Sequence, residues 1–166
     1  MANHDSIQAA RTFAVAVHGD QQYGDAPYSK HLDRVASLLE PYGPEAQVIG
    51  YLHDVIEDTS VTLTEIEQLF GASIAACVAL VTDEPGTNRR DRKARTNLKL
   101  EQVPPDHELA LVVKVADRLA NVTSGLEDGR EFLVEMYRRE LAAFRQAVFR
   151  PGLCNDLWHR LEKKLR

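Results

Sequence analysis

The sequence predicts an all-α protein, a compact bundle of roughly six to nine helices. Three observations carry that prediction. Apolar residues recur at three- and four-residue steps along nearly the whole chain, the period of helices that bury one face. Strict alternation of apolar and polar residues, the mark of a half-buried strand, reaches no useful length. Glycine and proline clusters fall between the periodic segments rather than inside them.

The elements follow in order. Ile7, Ala10, Phe13, Ala14 and Val17 define the face of a first helix. Gly19, Gly24 and Pro27 mark His18–Pro27 as a loop. Ser29 is placed as the N-cap of a second helix carrying Leu32, Val35, Ala36 and Leu39, which Pro41, Gly43 and Pro44 end. A third helix is expected from Glu45 through Ile49, Leu52, Val55 and Ile56. Thr62 and Glu65 have capping-box spacing for a short fourth helix, with Gly71 as its terminator. Ile74–Val81 continues as a fifth. After the break at Glu84-Pro85-Gly86 comes a basic segment, and Pro104-Pro105-Asp106 opens a helix apolar at Leu109, Val112, Val113, Ala116, Leu119 and Ala120. Phe132, Leu133, Met136, Tyr137, Leu141, Phe144 and Val148 give a late helix, Pro151-Gly152 breaks it, and a basic C-terminal helix follows.

A chain of 166 residues can bury a real core, and it is read as one domain over 1–166. No stretch approaches the ~20 apolar residues that span a bilayer, and Met1–Ser6 lacks the basic-then-apolar order of a secretory signal. Both favour the cytoplasm and no membrane partner. Cys77 in an apolar run and Cys154 near the C-terminus, without CxxC spacing, read as reduced thiols. A net charge of −5 argues against a nucleic-acid partner, whose phosphates need a basic footprint. One segment runs the other way: Asn88–Lys99 sets Arg89, Arg90, Arg92, Lys93, Arg95 and Lys99 against Asp91. It suits a small anion, or is simply a solvated surface loop. The oligomeric state is not legible.

The chemistry-bearing residues start with His53-Asp54-Val55-Ile56-Glu57-Asp58. On a helix, residues four apart share a face, so His53 lies over Glu57 and Asp54 over Asp58. Three acids beside a histidine repel one another unless a cation compensates. A divalent metal would do so, and mixed imidazole–carboxylate ligation suits Mn, Fe, Ni or Zn. A solvated helix end with a stray histidine explains the same hexapeptide. A second polar patch interrupts an apolar helix: Lys114, Asp117 and Asn121 fall on one face. A buried aspartate needs a partner, and a structural pair with Lys114 or Arg118 would supply it. His31, one turn into the second helix, taken alone is structural or exposed. His4, His107 and His159 lie in polar surroundings, and His18 ends the first helix, where the helix dipole suits an imidazole.

Together these residues form an ordered set, H…HD…D. The matching pieces are His18-Gly19-Asp20-Gln21, Pro27-Tyr28-x-x-His31, Leu52-His53-Asp54-Val55-Ile56-Glu57-Asp58-Thr59, Phe70-Gly71 and Lys114-Val115-Ala116-Asp117-Arg118-Leu119-Ala120-Asn121. In these pieces, over residues 6–125, the chain resembles the HD-domain metal phosphohydrolases, and most closely the hydrolase domain of the RelA/SpoT alarmone enzymes and the small alarmone hydrolases. These motifs form the core of the single domain, and C-terminal helices over residues 131–166 complete it. The resemblance implies that His31, His53, Asp54 and Asp117 bind one divalent metal, usually manganese. It implies that Glu57 and Asp58 position or deprotonate the attacking water, and that Asn121 contacts the sugar or phosphate, with Lys114 beside it. It further implies a small nucleotide substrate, guanosine-3′,5′-bis(diphosphate), split into GDP and pyrophosphate. Tyr137 resembles a family tyrosine near the pocket, though core packing explains it as well.

One departure matters. Family members carry an Arg-Lys pair shortly before the Pro-Tyr-x-x-His motif, near the base of the substrate; here those positions read Gln22-Tyr23. A cation is lost, while tyrosine can still stack. Arg89 and Arg92 are candidates to contact the diphosphate instead. An HD hydrolase of another nucleotide specificity and a non-catalytic nucleotide-binding module therefore stand as alternatives. No synthetase domain is expected within this length.

Overall fold

The computed structural model describes residues 3–166. Among them are nine helices of at least eight residues and a further single turn. α1 (His4–His18) is opened by Asn3, whose side chain accepts the Ser6 N–H. The segment expected as a loop contains a minimal antiparallel hairpin, β1 (Gln22–Tyr23) and β2 (Ala26–Pro27). Gly24, at φ +61°, supplies the left-handed turn between them. Strands this short carry no visible alternation, so sequence periodicity does not reveal them.

α2 (Ser29–Leu39) has Tyr28, not Ser29, at its N-cap; Ser29 is already helical and no side chain caps this end. A 3-10 turn, Glu40–Tyr42, leads through Gly43 to α3 (Pro44–Leu52). The expected third helix stops here, short of Ile56. His53 and Asp54 form a turn, and α4 (Val55–Asp58) is one turn of helix beyond it. Asp54, at φ −104° and ψ −1°, lies in the bridge region that breaks the axis. The Asp58 N–H still reaches the Asp54 carbonyl at 3.0 Å, so that i,i+4 link survives while His53 lies outside the helix.

α5 (Leu63–Phe70) begins with the expected capping box between Thr62 and Glu65, and Gly71 separates it from α6 (Ala72–Val81). The basic segment is itself a helix, α7 (Arg89–Glu101), capped by Asn88. After a 3-10 turn come α8 (Leu109–Glu127), α9 (Glu131–Val148) and α10 (Asn155–Leu165).

α8 is the axis of the bundle and packs against α2, α3, α6, α9 and α10. Leu111, Val113, Val115, Ala116, Leu119 and Ala120 on it are essentially inaccessible. Each buried valine or leucine contributes roughly 1.5–3 kcal/mol, enough for α8 to carry Asp117 and Asn121 on its remaining face. α2 and α3 approach closely at Gly50, where a Cβ would meet Leu39 Cδ1 at 2.5 Å. That approach brings the end of α3, with His53, beside His31 of α2. Cys77 and Cys154 are buried free thiols. No described helix is long and apolar enough to cross a membrane.

Candidate metal centre and active site

Three separate parts of the chain meet at one point: His31 from α2, His53-Asp54 from the break after α3, and Asp117 from α8. His31 Nε2 lies 3.1 Å from Asp117 Oδ1 and 4.0 Å from Asp54 Oδ2. His53 Nε2 lies 3.0 Å from Asp54 Oδ2 and 3.4 Å from Asp117 Oδ1. Donor atoms of His31, His53 and Asp54 all fall within 4.8 Å of one another. His31 and His53 are buried, and both aspartates are partly exposed toward the opening.

The ring of His53 is oriented by the last turn of α3. Nδ1 is 2.6 Å from the Gly50 carbonyl, which can only accept, so Nδ1 carries a proton. Nε2 is therefore the nitrogen turned to the carboxylates, and it is buried without a hydrogen-bond partner of acceptable geometry. An orphaned imidazole nitrogen facing two carboxylates fits a divalent cation, with the carbonyl as the outer tether that ligating histidines commonly have. The charges agree. Burial disfavours a charged His53, yet Asp54 and Asp117 overcome it and raise its pKa well above the ordinary value. Burial likewise opposes ionised Asp54 and Asp117, but His53 holds both below the usual carboxylate range. The same field would hold a metal ion in place of that proton.

Further groups fix the carboxylates around this centre. The Tyr28 hydroxyl donates to Asp54 Oδ2. Burial and then Asp54 push the Tyr28 phenol far up, so it stays a donor. Glu57 Oε1 accepts the Asp83 N–H at 2.5 Å, and desolvation, with Asp54 and Asp83 nearby, raises its carboxyl. Asp58 accepts from Gln21 Nε2 at 2.8 Å, and Gln21 Oε1 is 2.9 Å from His18 Nδ1, whose ring packs on Tyr28. Glu57 and Asp58 are both exposed to solvent at the edge of the cluster.

The remaining candidates separate. Lys114 is buried and bonds the Val81 carbonyl and Asp83, at 3.0 and 3.1 Å, so the anticipated pair with Asp117 does not form. Arg118 is not that partner either: it faces Glu140 at 3.4 Å and lies over the Phe144 ring. Asn121 has both ends engaged, by Asp117 and by Tyr23. Strand alternation turns Gln22 to solvent and Tyr23 inward. Arg89 is clamped to Glu140 by two hydrogen bonds of 2.8 and 3.2 Å, above the buried Tyr137. Arg92 has no ion pair among the described residues. Of the incidental histidines, His4 and His159 are exposed, and His107 is half-buried beside Asp106.

Sequence reasoning missed Tyr28, Gln21, Gly50 and Asp83 as supports. The first two lie inside quoted motifs, Pro-Tyr-x-x-His and His-Gly-Asp-Gln, so their spacing could have flagged them. Gly50 and Asp83 touch His53 and Glu57 through backbone groups, and which backbone group faces a distant side chain leaves no mark in the sequence.

A helical bundle that converges two histidines and two aspartates from three elements defines a class, and comparison with known proteins agrees. A family model described as an HD domain matches residues 9–150, and the chain belongs to that family. Its relatives lie in the branch that the motifs resemble. Guanosine-3′,5′-bis(diphosphate) 3′-pyrophosphohydrolase MESH1 of Danio rerio is 35% identical over 117 residues, which are 66% of this chain and 63% of that protein. MESH1 of Homo sapiens is 35% identical over 120 residues, 68% and 65% of the two chains. A probable guanosine-3′,5′-bis(diphosphate) 3′-pyrophosphohydrolase of Synechocystis is 35% identical over 162 residues, 94% of this chain and 20% of the relative. The chain thus spans less than two thirds of these relatives. A solved structure described as a metazoan ortholog of SpoT that hydrolyzes ppGpp superposes with a TM-score of 0.81 at 22% identity, covering 100% of this chain and 97% of the other. The crystal structure of lmo0812 from Listeria monocytogenes gives 0.65 at 24%, covering 84% and 98%. These two likenesses establish the fold.

Proposed function

We propose that the chain, acting as a single HD hydrolase domain, is a manganese-dependent pyrophosphohydrolase that converts guanosine-3′,5′-bis(diphosphate) to GDP and pyrophosphate. The observation that carries the reading is the convergence of His31, His53, Asp54 and Asp117 with Glu57 and Asp58 at its edge. The names of the MESH1 relatives supply the substrate.

A bound divalent ion would lower the pKa of its water and offset charge on the phosphate oxygens. His31, His53, Asp54 and Asp117 would hold it. Glu57 takes the proton of the attacking water, since desolvation and the neighbouring Asp54 and Asp83 raise its carboxyl and the Asp83 N–H holds it still. Asp58, steadied by Gln21, orients that water. The new P–O bond forms as the bond from phosphorus to the ribose 3′-oxygen breaks, and the 3′-oxygen leaves with the proton that Glu57 took from the water. Arg92 is the basic-segment side chain proposed to meet the diphosphate. A reducing, nucleotide-rich compartment, the cytoplasm, suits this reading and the two free thiols.

Incubation with guanosine tetraphosphate and manganese tests it: GDP and pyrophosphate are expected in equal amounts. A protein that binds manganese yet turns over only other nucleotides would shift the assignment to a second reading, an HD hydrolase of different specificity. Tyr23 at the site edge, where the family carries a cation, favours keeping that second reading in the test.

A further inference from the structure

We infer that Tyr23 is a positioning residue for the metal-binding set and thereby limits what the adjoining wall of the cleft can recognise. The inference rests on the metal-hydrolase reading of the site. Two independent contacts carry it.

The Tyr23 ring lies on His31, with centroids 4.6 Å apart and planes 9° from parallel. The far nitrogen of His31 has no tether: Nδ1 is buried and finds no hydrogen-bond partner among the described residues, and the Tyr28 ring packs on His31 at a longer 5.5 Å and a tilt of 55°. A ligating histidine ordinarily has its ring orientation set by a hydrogen bond at the far nitrogen, as Gly50 does for His53. At His31 the face of Tyr23 takes that part.

The second contact runs through an amide. The Tyr23 hydroxyl donates to Asn121 Oδ1 at 2.5 Å, and Asn121 Nδ2 donates to Asp117 Oδ1 at 2.8 Å. One side chain therefore touches one ligand and reaches a second. Burial raises the Tyr23 phenol, which keeps it a neutral donor. Asn121 commits its carbonyl oxygen and one of its two N–H donors to this relay, so it too is a positioning residue. Tyr23 itself offers a neutral aromatic surface that can stack on a base or sugar but cannot form an ion pair, and any charge on this wall comes from neighbours such as Lys30 and Arg34.

Calorimetric titration with manganese, without nucleotide, tests this on wild type, Tyr23→Phe, Tyr23→Ala, Asn121→Ala and the Tyr23→Phe/Asn121→Ala double variant. Tyr23→Phe is expected to weaken manganese binding about tenfold. Asn121→Ala should do the same, and the double variant should be no worse than the weaker single, because hydroxyl and amide act in series. Tyr23→Ala, which also loses the stack, should bind more weakly still, and at saturating manganese its kcat should fall more than its KM rises. Unchanged manganese affinity in both Tyr23 variants overturns the inference. So does a rise in KM alone, which would make Tyr23 a substrate surface only, or full additivity in the double variant. Thermal melts check folding, and if Tyr23→Ala does not fold, Tyr23→Phe decides. A wild-type protein that binds no manganese would instead overturn the hydrolase reading itself.

Discussion

Asp54 and Glu57 are three residues apart, yet their expected roles differ. Asp54 faces both histidines, so Asp54→Ala should abolish manganese binding and turnover together, measured by calorimetry and pyrophosphate release. Glu57 faces the cluster from its edge, anchored by the Asp83 N–H. Glu57→Gln should therefore lower kcat by about 10²–10⁴-fold, the usual contribution of a general base, while manganese affinity stays near wild type. Equal loss of metal in both variants would make Glu57 a ligand. In the basic segment the two arginines also part company. Arg89 is held by Glu140, so Arg89→Ala should chiefly lower stability, whereas Arg92→Ala should chiefly raise KM. Unchanged kinetics for Arg92→Ala would reduce this part of α7 to a solvated face.

At the scale of elements, the site depends on how α2, α3 and the linker after α6 are held. Gly50→Ala would drive a methyl into Leu39, which is fully buried. Overpacking of this kind costs about 1–3 kcal/mol, and the denaturation midpoint should fall accordingly, with weaker manganese binding because His53 rides on the end of α3. The linker is pinned at Asp83, which bonds Lys93 at 2.5 Å and Lys114 at 3.1 Å. Burial opposes the Asp83 charge, but Lys114 and Lys93 win and hold its carboxyl below the ordinary value. Asp83→Asn leaves two lysines without their shared anion and should cost about 3–5 kcal/mol. A depressed folded-state pKa contributes stability above the unfolded value of about 3.9 and loses it as pH falls through the folded value. The gap between wild type and Asp83→Asn should thus be complete at neutral pH and close only in acid, as read from denaturant midpoints across pH.

For the whole molecule, a cation that binds only the folded bundle must stabilise it. Manganese at a hundred times its Kd should add about 2.7 kcal/mol, seen as a rise in Tm that chelator reverses along with activity. Much of this molecule is legible in sequence. Helical periodicity announces the class, Thr62 and Glu65 announce their cap, and the H…HD…D order announces the four residues that meet, because side-chain type and spacing are local properties. Tertiary structure alone decides the break at His53-Asp54, which a continuous periodic pattern conceals. It also decides the pairing of Lys114 with Asp83 rather than Asp117, and the turning of Tyr23 onto His31. Each of these depends on what distant elements place opposite a residue, and a buried charge or ring takes the partner that packing provides.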